Sequence, residues 1–215
     1  MSSDKKLILA LDTSHEHGIV ALLSHDAVLA HKALTDKMSH GTAIIGAIEE
    51  VLAGVEPRQL AGLMVGLGPG SFVGLRIALA TALGFALGRS LPLMGFCSHQ
   101  AIEASYPSVP EPRYIIMKAS GSLCYVSLHG LIEVKELEQA LEEIPAGSRV
   151  ISDLALSTDV IACQGPSAEG MLRVVKNRLS GGLIDESQLI KPNYIKAPNV
   201  SLPKKSPVIA VFQHK

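Results

Sequence analysis

The sequence has no tryptophan, only four phenylalanines and four tyrosines, and a charged fraction of 18%. Its 19 basic and 20 acidic residues leave a net charge of −1. A domain that grips nucleic acid by itself shows a basic stripe or stacking aromatics, and neither is present. The three cysteines, Cys97, Cys124 and Cys163, form no ligand-spaced pair and no even disulfide set, and read as small buried thiols. Uninterrupted apolar runs are short, as at residues 7–11 and 63–65, so no membrane span is expected. The polar start, Met1-Ser2-Ser3-Asp4-Lys5-Lys6, does not resemble a secretory signal, and a cytoplasmic location is the expectation. What is plentiful is apolar surface: 47% of 215 residues are hydrophobic. That surface has to enter a core or face another protein.

Residues 6–11 read as a buried strand running into Asp12-Thr13-Ser14, and 18–24 and 27–34 as two more strands in short antiparallel hairpins. Ser39 reads as the N-cap of a helix over 41–52, with apolar residues at Ile44, Ile48, Val51 and Leu52. A strand at 61–67, a glycine-rich loop at 68–74, a helix at 75–88, a strand at 91–96 and a short helix capped by Ser98 follow. Three strands and then alternating helices and strands is the order of the RNase H-like half-domain of the actin, sugar-kinase and Hsp70 group, an α/β fold with a mixed sheet. After the proline-rich stretch 106–112 come strands at 113–119 and 124–129, a charged helix at 133–143, a strand at 160–164 and a helix at 168–180. They describe a second, reduced lobe, so the expected division is 1–105 and 106–215.

The strongest local signal is Gly66-Leu67-Gly68-Pro69-Gly70-Ser71-Phe72-Val73-Gly74-Leu75-Arg76. A turn of this kind before a helix has two uses. It can cradle an anion, with Gly68, Pro69, Gly70, Ser71, Phe72, Gly74 and Arg76 as contacts, or it can let two backbones approach closely. It is not a P-loop, because no Gly-Lys-Ser/Thr follows, and it does not match a nucleophile elbow. Asp12, Thr13 and Ser14 stand where this fold group holds a magnesium phosphate, yet phosphoryl transfer needs a second acid. The matching turn of the second half is Lys118-Ala119-Ser120-Gly121, with a lysine in the acid's place. The expectation is a degraded phosphate loop, no catalytic residue, and no cofactor held by the chain alone. ATP or ADP would bind only at a subunit interface. His15-Glu16-His17 lacks a distant third ligand and reads as solvated loop rather than metal site.

In the helix at 75–88 the only polar side chains are Arg76 and Thr81. A helix that is apolar all round must be buried all round, whereas a sheet covers one side of it. Ile77, Thr81, Gly84 and Gly88 share a side away from Leu75, Ala78, Leu79, Ala82 and Ala86, and Ala43 and Ala47 flank the core stripe of the preceding helix. With Ser39 and His40, these are the candidate partner-interface residues. The alternative is burial beneath the second lobe, and the partner surface is the preferred reading.

Leu9-Ala10-Leu11-Asp12-Thr13-Ser14, Ser39-His40 and the stretch from Val65 to Ile77 are similar, in order and spacing, to the TsaB (YeaZ) family. Leu91-Pro92-Leu93-Met94-Gly95 and Pro192-Asn193-Tyr194-Ile195-Lys196 fit the same pattern, while Val73, the turn at Lys118 and the order His40-Gly41 depart from it. The first half of the chain carries most of the likeness. The resemblance implies a two-lobed RNase H-like fold and a catalytically silent scaffold that pairs with TsaD through its first-lobe helices and works with TsaE. Together they would form N6-threonylcarbamoyladenosine on tRNA, which the chain would meet only through the complex. A homodimer is implied when the chain is alone. The rival readings are a small kinase or ATPase of the same fold and a stand-alone homodimeric interaction protein.

Overall fold

The computed structural model describes residues 6–35, 40–156 and 160–193. Ser39, the side chain of His40, and Tyr194, Ile195 and Lys196 lie outside the described residues.

The first sheet is built on β1 (Leu7–Asp12), which pairs antiparallel with β2 (Gly18–Leu23) and parallel with β4 (Leu60–Gly66). With β3 (Val28–Leu34) and β5 (Leu93–Phe96) at the edges, the strand order is β3-β2-β1-β4-β5. Every residue of β1 and β2 is buried, because helices cover both faces. The two-residue period of the strand sorts its side chains. Leu9 and Leu11 point into a core with α1 (His40–Val51) and α2 (Phe72–Arg89), whereas Ile8 and Ala10 point into a core with α3 (Ser98–Ser105) and α5 (Ala168–Leu179).

The second sheet repeats this plan. β6 (Arg113–Ser120) pairs antiparallel with β7 (Leu123–Leu128) and parallel with β9 (Arg149–Ser152), and β8 (Leu131–Glu136) and β10 (Val160–Ala162) form the edges. Read from β8, the order β8-β7-β6-β9-β10 is that of the first sheet. Helix α4 (Leu137–Glu143) takes the place of α1. Among the described residues no helix stands between β9 and β10, so the counterpart of α2 is missing. Helix α3 joins the lobes: Ala101 enters the first core and its neighbour Ile102 a core of the second sheet.

Several expectations change. The helix expected at 133–143 is a strand and then a helix, because β8 follows β7 through a two-residue turn. Both turn residues, His129 and Gly130, have positive φ, the geometry of a tight hairpin. Strand β9 was not foreseen. Helix α2 starts earlier than expected, capped by the Ser71 hydroxyl, which accepts the Gly74 N–H. Its 18 residues, with mean hydropathy 1.4, are long and apolar enough to cross a membrane, contrary to the expectation from uninterrupted runs. Instead, its Leu75, Ala78, Ala82 and Ala86 face packs on the first sheet. Cys97 is only partly buried.

The division at 105/106 separates the two sheets but not the helices. Helix α5 buries Met171, Val174 and Val175 against the first sheet. Beyond it, Glu186 N–H donates to Leu93 O, Leu93 N–H to Asp185, and Asn193 N–H to Leu67 O, so residues 183–193 strap the edge at β5. Residues assigned by sequence to the second lobe thus finish the first. A chain ending at residue 105 therefore leaves one face of its sheet covered by α3 alone. It should show no cooperative thermal transition by circular dichroism, whereas a chain ending at 193 should melt cooperatively.

Candidate functional site

The turn after β1 and the glycine-rich turn before α2 are pressed together. Asp12 Oδ1 accepts the Ser14 N–H at 2.8 Å and the Ser14 hydroxyl at 2.5 Å. The Thr13 hydroxyl donates to Gly74 O at 2.6 Å, and Ser71 N–H donates to Ser14 O at 2.6 Å. A Cβ at Gly74 would overlap Thr13 O, and one at Gly70 would overlap Ser14 O. Of the two uses open to this loop, close backbone approach is the one its geometry realises. The N–H groups of Gly68, Ser71 and Gly74 are committed to Ser98 Oγ, Ser14 O and Ser71 Oγ. Asp12, Thr13 and Ser14 are buried. Farther along, the Arg76 guanidinium lies 3.8 Å over the Phe72 ring on the outer side.

The cleft between the lobes is filled by side chains. His15 Nδ1 shares a hydrogen bond with Ser14 Oγ at 2.7 Å, and its ring lies 5.5 Å from that of His99, on the first turn of α3. His99 in turn meets Tyr125 of β7 edge-on at 5.8 Å. Burial, and then the neighbouring His15, hold the His99 imidazole well below its ordinary pKa. An acid does stand beside Lys118: Asp153, following β9, accepts the Lys118 N–H at 2.8 Å. Burial pushes its carboxyl up, opposed by that N–H. The acid sought in the β6–β7 turn thus arrives from a different strand, where sequence spacing gave no sign of it. Within His15-Glu16-His17, the first residue is buried and the second exposed, so the three side chains do not converge. His17 N–H donates to Gln164 O at 3.1 Å, and Gly165 abuts His17 O. Backbone contact thereby closes the cleft beside the Gly165-Pro166-Ser167 turn that caps α5.

The outer face of α1 and α2 is open. A Cβ at Gly84 or Gly88 would meet nothing within 4 Å. Val73 is 65% exposed, Leu87 68% and Ile45 51%, and Ile77, Thr81 and Ala43 are half-buried beside them. The second sheet lies beyond α3, on the other side of the first, so it does not cover this face. One assignment is corrected: Ala47, only 4% exposed, points into the core of its own lobe with Ile44 and Ile48. It sits one turn from Ala43, where core and surface stripes adjoin. The exposed Val73, Leu87 and Ile45 were not singled out from the sequence, which marked the outer side by Ile77, Thr81 and the small residues rather than by these larger apolar side chains.

The family model of TsaD, tRNA N6-adenosine threonylcarbamoyltransferase, matches residues 27–147, more than half of the chain. The chain belongs to this family, among its TsaB (YeaZ) members. It is 39% identical over 90 residues to the tRNA threonylcarbamoyladenosine biosynthesis protein TsaB of Escherichia coli, a match covering 41% of the chain and 38% of that protein. The Bacillus subtilis TsaB is 31% identical over 100 residues, 46% of the chain and 44% of that protein. The matched stretch thus spans about two-fifths of these curated relatives. The solved structure of YeaZ from Pseudomonas aeruginosa is similar at a TM-score of 0.71 with 21% identity, covering 88% of this chain and 99% of that one. That likeness extends the two-lobed RNase H-like fold beyond the part matched in sequence.

Two glycines of α2 should respond in opposite ways. Gly74→Ala should cost about 3 kcal/mol, because the methyl group collides with backbone that cannot move aside. Gly84→Ala, in open space within a helix, should stabilise by about 0.5–1 kcal/mol. Urea denaturation of the two variants checks both signs.

Proposed function

We propose that the chain is a non-catalytic scaffold subunit in the N6-threonylcarbamoyladenosine modification of tRNA, pairing with TsaD and working with TsaE. The open face of α1 and α2 carries this reading. Gly84 and Gly88 present bare backbone between the exposed Val73, Leu87 and Ile45, a surface that another helix can approach closely. Contiguous apolar surface of this kind marks protein interfaces, and a stable one buries about 1,600 Å² in total. The names of the Escherichia coli and Bacillus subtilis relatives support the pathway. Alone, the chain would use the same face to form a homodimer.

The buried Asp12, tied to Ser14, and the side-chain-filled cleft support a role without catalysis. They weigh against the rival kinase or ATPase even though Asp153 supplies a second-lobe acid. Any ATP or ADP would then sit at a subunit interface. With a net charge of −1 and no stacking platform, the chain would meet tRNA through the complex, in the cytoplasm.

Gly84→Arg and Leu87→Glu place charges into the proposed contact, where an unpaired buried charge is costly. Neither variant should lower the melting temperature, Gly84→Arg gaining helix propensity as Gly84→Ala does, and both should lose association with TsaD in sedimentation. Ala47→Glu, aimed at the lobe's own core, should instead unfold the monomer. Wild-type association by both surface variants would sink the assignment of this face.

A further inference from the structure

We propose that His99, wedged between the lobes, makes closure of the cleft sensitive to protons: when its imidazole is charged, the loop after β1 lifts off the second lobe. His99 is 1% exposed, and neither ring nitrogen makes a hydrogen bond to a protein group among the described residues. Buried polar side chains are nearly always partnered, so this ring sits where only its neutral form is tolerated. An imidazolium there would have no counter-charge in contact. From the loop after β1 it meets His15, which can only add like charge. From β7 it meets the ring edge of Tyr125, whose hydroxyl burial keeps protonated. Of the nearby acids, Asp153, whose carboxyl senses His15 and Glu16, accepts the Lys118 N–H. Asp12 accepts from Ser14 through Oδ1, while its Oδ2 is buried without a hydrogen-bond partner among the described residues and makes no hydrogen bond to the His99 ring.

Among the described residues, the backbone bond from His17 N–H to Gln164 O, beside the Gly165 contact, holds the loop after β1 to the second lobe, with the His15 ring packed near that of His99. Its tether is slight compared with the packed cores on either side. The sign follows from linkage. In the closed form the His99 pKa lies below 6.5, and in an opened, hydrated form it returns to about 6.5. Closure is therefore at full strength above that value. As pH falls below it, the open form alone takes up the proton and gains about tenfold in population per pH unit, until the closed form also titrates.

The test is amide hydrogen exchange of His17 in the full chain at pH 7.5 and 5.5, corrected for intrinsic rates. The wild type should lose about tenfold in protection at the lower pH, and His99→Phe, which keeps a ring but takes no proton, should lose none. Should His99→Phe fail to fold, His99→Gln serves the same purpose. Unchanged wild-type protection would overturn the proposal. So would an equal loss in the His99 variant, which would place the sensitivity on His15 or His17 themselves.

Discussion

The contact between the turn after β1 and the glycine-rich turn before α2 is the point on which the rest of the first lobe depends. Thr13 O meets the Gly74 backbone, Ser14 O receives the Ser71 N–H, and no side chain fits between them. Because Ser71 is also the N-cap of α2, the same few atoms set where that helix begins. A helix is rigid once started, so fixing its first turn fixes which residues face the sheet and which face outward over its length. The contact also occupies the space around Asp12, Thr13 and Ser14. Closing the turn after β1 and aiming the outer face of α2 are one structural event.

The two sheets share a strand order, but the chain does not divide into two self-sufficient halves. The first sheet needs α5, which arrives only after the second sheet is complete, and it needs the strap from Asp185 to Asn193 at its β5 edge. Among the described residues the second sheet has no helix between β9 and β10, and on the face away from α4 it packs against Ile102 of α3. Each lobe therefore contains a piece positioned by the other, so a disturbance at the cleft reaches both cores through α3.

Which parts of this were legible in the sequence depends on whether the determining contact is local. The central strands were readable because β1 and β2 are buried on both faces and read as unbroken apolar runs. The glycine-rich segment could be located, but its use could not: anion cradle and backbone contact ask for the same residues, and only the position of Thr13 O decides between them. Strand β8 was hidden because Glu133, Val134, Lys135 and Glu136 run straight into the helix-forming Leu137–Glu143 segment. Strand pairing with β7 overrides that local preference. Asp153 and His99 carried no signal at all, since each acquires its meaning from residues more than thirty positions away.

Helix α2 shows how far an apolar helix can be read by composition. Its sequence is apolar all round, yet only the side with Leu75, Ala78, Ala82 and Ala86 is buried. Small residues on that side let the helix lie close to the sheet, and the glycines on the other side lie equally bare with nothing against them. Alanine on the outer face would strengthen the helix by removing backbone freedom, so folding alone gives no reason for Gly84 and Gly88. Approach of another backbone does give one, because a glycine pair one turn apart opens a flat track along a helix. The outward glycines are therefore an argument for contact that is independent of the exposed Val73 and Leu87, and the two arguments fall on the same face.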